Sequence, residues 1–349
     1  MKRWHSISYL IVLLIAILAA CGPNAAGTPS TPVGGDASVP TVVAIQHQLT
    51  PVQLPDDRSG HAGDQDSSLT ANQKRAASGD RFTFGQFERP FNSDTMDTYY
   101  PYLDIQDVYI YQDDSWIYAV ITVKGRDANS EMPGKYAVEL DLDVDGRGDL
   151  LVMVSHPASA DWTTDGVQVW ADRNKDVGGS VALNADKTPS KGDGYETQVF
   201  DQGHGDDPDA AWARLPADNL NSIQLAVKRT LLEGDSAYLA GMWAGNDQLN
   251  PALFDLNDHF THDQAGEAMK ELEYYYPIKQ ISEVDNTCRM AVGFTPQGDE
   301  PGLCRTYVAP GGETACQPPP AGCDTSSGFK WDTKKCCCNY ENLGCNYSP

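Results

Sequence analysis

Cysteine is missing from residues 22–287, basic residues are scarce, and no long apolar run follows residue 20. The first absence excludes disulfides and thiolate metal sites from the main body of the chain. The second sets 25 Lys+Arg against 49 Asp+Glu, a formal net charge of -24. Such a surface repels phosphate backbones and anionic lipid, so nucleic acid is excluded as a partner. Catalytic signatures are missing too. There is no Gly-x-Ser-x-Gly, no phosphate loop ending in Gly-Lys-Ser/Thr and no Gly-x-Gly-x-x-Gly. A glycosidase needs only two carboxylates, and among 49 acids such a pair carries no information. Amphipathic helices of ten or more residues between strands are also missing, which excludes a parallel α/β sheet.

What is present begins with an address. Met1-Lys2-Arg3-Trp4-His5 is basic, and residues 9–20 are almost wholly apolar, too short to span a bilayer. The next run, Leu18-Ala19-Ala20-Cys21-Gly22, resembles the lipobox of bacterial lipoproteins. That resemblance implies a signal peptide over 1–20 and acylation of Cys21. Two or three acyl chains make a stable anchor, on the outer face of the cell membrane. An ordinary secretory signal with a chance cysteine is the competing reading. Residues 21–80 are rich in Pro, Thr, Gly, Ser and Asp and read as a disordered tether.

The 31 glycines and 22 prolines suit a turn-rich fold. Strands are expected at 82–87, 105–111, 116–123, 136–142, 150–154, 167–171, 195–200, 222–228 and 237–243. Both faces of 116–123 are apolar, which marks a covered central strand. In 222–228, Ile223, Leu225 and Val227 alternate with Gln224 and Lys228, as in a half-buried strand. Residues 207–215 and 261–275 are the helical candidates; Thr261 with Gln264 forms a capping pattern, and Gly266 interrupts it. The expected fold is an all-β, antiparallel sandwich of jelly-roll or Ig-like type over 81–285, followed by a disulfide-rich segment over 286–349. Asp113-Asp114-Ser115-Trp116-Ile117-Tyr118-Ala119-Val120 and Leu140-Asp141-Leu142-Asp143-Val144-Asp145-Gly146 resemble DOMON and carbohydrate-binding-module sandwiches. Phe254-Asp255-Leu256-Asn257-Asp258-His259-Phe260-Thr261 and Val284-Asp285-Asn286-Thr287-Cys288-Arg289 resemble segments of bacterial surface lipoproteins.

The sharpest motif is Asp141-Leu142-Asp143-Val144-Asp145-Gly146-Arg147-Gly148-Asp149. Acids at positions 1, 3, 5 and 9 with Gly at 6 match three quarters of an EF-type calcium loop, with the Arg147 carbonyl as the ligand at 7. Val152 stands where that loop has its bidentate Glu, so a strand hairpin is expected instead of a helical hand. An ion-free acidic turn is the alternative. Asp172, Asn174 and Asp176 form a weaker relative, and 201–209 is a further acidic loop. His259 and His262 offer metal nitrogens only if helical, and a loop placement is expected. Trp116, Trp162, Trp170, Trp212 and Trp243 are expected mainly in the core, with a sugar-stacking role as the alternative.

Apart from Cys21, the cysteines are Cys288, Cys304, Cys316, Cys323, Cys336, Cys337, Cys338 and Cys345. An even set in an exported segment with little core reads as disulfides. Cys288 with Cys304 is one pairing that would close the sandwich. The expected function is a lipid-anchored, calcium-supported binding protein for a polysaccharide or surface partner. A hydrolase, a DOMON-like redox protein and a structural envelope protein remain alternatives.

Overall fold

Alternating apolar residues along 105–123 make strands with one or two oily faces, and each such face must be covered. The structure, a computed structural model, shows how. It describes residues 45–76, 79–178, 189–268, 277–297 and 300–304, together with the backbone of three short strands near the C-terminus. The strands are β1 (Arg58–Gly63), β2 (Glu88–Arg89), β3 (Ile105–Gln112), β4 (Trp116–Val123), β5 (Lys135–Asp141), β6 (Leu150–Ser155) and β7 (Val167–Ala171). They continue as β8 (Thr197–Asp201), β9 (His204–Gly205), β10 (Ala211–Arg214), β11 (Ser222–Lys228), β12 (Tyr238–Gly245), β13 (Val284–Asn286) and β14 (Met290–Val292). The C-terminal three are β15 (Phe329–Asp332), β16 (Cys337–Tyr340) and β17 (Cys345–Asn346), which pair antiparallel.

One antiparallel sheet runs β1-β3-β4-β11-β10. A second runs β2-β13-β12-β5-β6-β7-β8-β9, with β14 also beside β12. A single core joins them. Ile110, Ile117, Ala119 and Leu225 of the first sheet meet Val138, Leu140, Val152 and Val169 of the second. Each buried Val, Leu or Ile side chain among them contributes about 1.5–3 kcal/mol, so this shared layer dominates stability. Cys288 and Cys304 form a disulfide within it, as the sequence suggests.

Both sheets also bury their outer faces. On the first, Trp116, Tyr118, Trp212 and Ala226 lie under Leu54 and Trp162. Residues 45–54 are tied down there. Gln48 and Leu49 donate their backbone N–H groups to Asp209 Oδ2, each at 2.8 Å, and Trp162 Nε1 donates to the Val52 carbonyl at 2.8 Å. On the second, Ala137, Leu151, Met153 and Trp243 lie under Tyr195, Phe254 and Leu256. Two one-turn helices, α1 (Leu256–His259) and α2 (His262–Ala265), belong to this cover. Thr261 and Gln264 form the expected capping box, and Gly266 at φ 74° ends the turn.

Several expectations are corrected. Residues 82–87 do not form a strand: Phe82–Phe84 is a 3-10 turn closed by Gly85 at φ 63°, a conformation that costs glycine little. Residues 207–215 hold β10 rather than a helix. Their alanines suit a helix, but pairing with β11 and burial of Trp212 override that local preference. Strand β11 is buried on both faces rather than half-buried, because Leu54 and Trp162 cover the outer face, where Gln224 accepts from Arg214 Nε at 2.8 Å. The fold begins earlier than the composition shift near residue 80, since β1 pairs with β3 and residues 45–54 cover the first sheet. It also runs past 285, because β14 pairs with β12. Residues 21–44 of the expected tether, with Cys21, lie outside the described residues, as do the side chains of Cys316, Cys323, Cys336, Cys337, Cys338 and Cys345.

Candidate metal centre

Period-two alternation in β5 puts Tyr136, Val138 and Leu140 into the core and turns Ala137, Glu139 and Asp141 the other way. That other face is the covered one, so Glu139 and Asp141 are each only 1% exposed. The turn from β5 to β6 then folds around its own carboxylates. Asp141 Oδ2 accepts from Gly146 N at 2.8 Å, and Asp141 Oδ1 accepts from Asp145 N at 3.2 Å. Asp149 Oδ2 accepts from Leu142 N at 2.7 Å. Gly146 sits at φ 94°, where a side chain is strained, and a Cβ there would lie 2.3 Å from Pro301. Val144 holds φ 62°, a costly conformation for a β-branched residue, so the turn stores strain.

One carboxylate oxygen from each of Asp141, Asp143 and Asp149 lies within 4.8 Å of the other two. Asp145 stands apart from that trio, and its Oδ1 accepts from Arg147 N at 2.9 Å. The Arg147 side chain reaches Asp255 at 3.4 Å and Asp258 at 3.2 Å, which ties the turn to the start of α1. Burial lifts Asp141 to about 7, with Arg289 pulling the other way. Burial also lifts Asp149. Lys175 Nζ lies 2.5 Å from Asp143 Oδ2 and 4.0 Å from Asp149 Oδ1. The trio therefore gathers positive charge with oxygen donors alone, the chemistry of a hard cation. Lys175 is an exposed, flexible ammonium that such a cation would displace.

The other acidic loops spend their acids differently. Asp172 turns inward and accepts from Lys175 N, Asp176 N and Val177 N at 2.7, 3.3 and 2.9 Å. Asn174 Nδ2 donates to Asp193 at 3.2 Å. Burial raises Asp176, and the Asp193 charge adds to the shift. In the 201–209 loop, Asp207 pairs with Lys228 at 2.6 Å and Asp209 with His47 at 2.8 Å. His262 lies 2.9 Å from Glu267, and burial pulls His259 down. Trp116, Trp212 and Trp243 are core residues. Trp170 is half-buried. Trp162 is also half-buried and stacks 4.4 Å from the Arg214 guanidinium. Beside it lies a cleft of about 360 Å³, lined by Ser155, His156, Ser159, Thr163, Asp165 and Arg214.

Sequence reasoning missed the ionic layer beneath the covered face. Glu139 accepts from Tyr195 Oη at 2.9 Å, Trp243 Nε1 at 3.2 Å and Arg289 Nη2 at 3.3 Å. Arg289 also approaches Asp255 at 3.8 Å and donates to the Gly146 carbonyl. The available signal was an acid inside the apolar run Tyr136-Ala137-Val138-Glu139-Leu140. No protein-family model matches the chain, and no curated protein is significantly similar to it.

Proposed function

We propose that this chain is a lipid-anchored, extracytoplasmic binding module whose loop end is held by calcium, with a polysaccharide or a cell-surface partner as its ligand. The observation that carries this reading is the convergence of Asp141, Asp143 and Asp149 in the β5–β6 turn. Calcium there would take the place of Lys175 and relieve repulsion among three carboxylates. It would also stiffen a turn already linked to the 172–178 loop, where Asp172 N donates to the Asp149 carbonyl at 3.1 Å, and to α1 through Arg147. The cleft next to Trp162 offers hydroxyls, a carboxylate, an imidazole and a guanidinium, a donor set suited to a polar glycan. Cys21 would hold this module at the outer membrane face.

The test uses the purified chain. Calcium is expected to raise the melting temperature of wild type, and Asp143→Asn with Asp149→Asn is expected to reduce that response. A full response in the double variant refutes the hairpin assignment. On a glycan array, Arg214→Ala is expected to weaken any binding seen. Binding that survives unchanged moves the ligand away from the cleft. Palmitate labelling lost in Cys21→Ala supports the anchor, and labelling retained there rejects it.

A further inference from the structure

A second acidic group lies at the β2 edge of the second sheet, well apart in sequence from the hairpin. Asp64 follows β1 of the first sheet, while Glu88 and Asp285 are register partners across β2 and β13 of the second. One carboxylate oxygen of each lies within 4.8 Å of the other two. Glu88 is 1% exposed and Asp285 fully buried. Some of their oxygens have ordinary donors. Asp285 Oδ2 accepts from Ile105 N at 2.7 Å, Glu88 Oε1 from Ser67 Oγ at 2.7 Å and Asp64 Oδ1 from Gln65 N at 2.9 Å. The remaining oxygens of the two aspartates, Asp285 Oδ1 and Asp64 Oδ2, are sealed from solvent and have no hydrogen-bond partner.

Carboxylate oxygens buried in this way are expensive to leave unmatched. Burial pushes all three groups well above the usual carboxylate range; the charges of Asp285 and Asp64 add to it at Glu88, and that of Asp64 at Asp285, with Asp104 contributing in each case and Asp107 in that of Asp64. The nearby cations are engaged elsewhere: Lys124 with Asp66, and Arg89 with Asp80. Among the described residues, no Lys, Arg or His pairs with Asp64, Glu88 or Asp285.

We propose that Asp64, Glu88 and Asp285 form a buried divalent-cation site, with calcium as its ion, that clamps the first sheet to the second. Asp285 Oδ1 and Asp64 Oδ2 keep lone pairs that no hydrogen bond uses, and all three side chains offer hard oxygens. Calcium–oxygen distances of about 2.3–2.6 Å allow ligand oxygens up to about 5 Å apart, and the observed spacing falls within that. The clamp explains why acids sit where the two sheets meet, a place otherwise filled by apolar contacts or ion pairs.

The experiment begins from the full chain carrying Asp143→Asn and Asp149→Asn, so that the hairpin is silent. After chelator treatment, this chain is titrated with calcium by calorimetry and melted with and without the ion. One ion is expected to bind and the melting temperature to rise. Adding Asp285→Asn or Glu88→Gln is expected to weaken binding by more than about tenfold, because a charged ligand becomes an amide. The same amide leaves metal-free stability equal or higher, since it removes buried repulsion. Asp64→Asn, at the more open side, serves if either buried variant fails to fold. The proposal is overturned if the hairpin-silent chain binds no calcium, if Asp285→Asn and Asp64→Asn bind it undiminished, or if magnesium is preferred. A calcium response present in wild type and absent from the hairpin-silent chain rejects this site and leaves the hairpin reading standing. A response absent from both rejects the two together.

Discussion

Replacing Arg289 by Met tests whether the ionic layer under the covered sheet is held by one guanidinium. Arg289 lies 3.3 Å from Glu139 and 3.8 Å from Asp255, and its side chain is 13% exposed. Burial and the neighbouring Glu139 already push Asp255 up to about 7, with Arg289 and Arg147 pulling it back. Removing one partner of a buried ion pair costs about 3–5 kcal/mol, because the other charge stays behind. Glu139 keeps its Tyr195 and Trp243 donors, so the lower end applies, about 3 kcal/mol. At roughly 2–4 °C per kcal/mol, the melting temperature should fall by roughly 6–12 °C. Urea denaturation followed by tryptophan fluorescence reads the change, since Trp243 belongs to the network. Adding Glu139→Gln should recover at least about 1 kcal/mol by removing the stranded charge. A loss below about 1 kcal/mol for Arg289→Met, or no recovery in the double variant, refutes the reasoning.

Two further outcomes follow from the same structure. The Cys288–Cys304 bridge closes a sequence separation of 16, which predicts a loss of about 3 kcal/mol on replacing both cysteines by Ser. Equal denaturation midpoints would show that the bridge adds nothing. Glu267 is lifted from 4.5 to about 8 by burial and by Asp80, against the pull of Arg89. Its folded state favours the neutral acid, so the stability it contributes is complete below about pH 4.5 and is lost as pH rises through about 8. Glu267→Gln should flatten that decline between about pH 5 and about pH 9, and an unchanged pH profile would refute the assignment.

The strands with strong alternation were legible in the sequence. The runs at 105–111, 116–123 and 167–171 coincide with β3, β4 and β7 almost residue for residue, because each carries its own apolar stripe. Strand β1 was not legible. Arg58-Ser59-Gly60-His61-Ala62-Gly63 has no stripe, and its place comes from backbone pairing with β3. Strand β10 was misread because alanine-rich segments follow their surroundings. The hairpin acids could be found because all three lie within nine residues of one another. Glu139 and its partners could not, since Tyr195, Trp243 and Arg289 arrive from 56 to 150 residues away. The Asp64, Glu88 and Asp285 group was hidden for the same reason: the pairing of β2 with β13 brings its members together, and no local pattern records that pairing.

The placement of residues 45–63 determines where the chain can be cut without harm. A truncation at the compositional break near residue 80 would peel Leu54 from Trp116 and Tyr118 and expose the long flank of β3. Bare aromatic surface next to a naked strand margin invites stacking between molecules and then precipitation. A fragment that keeps this cover must begin upstream of Ile45.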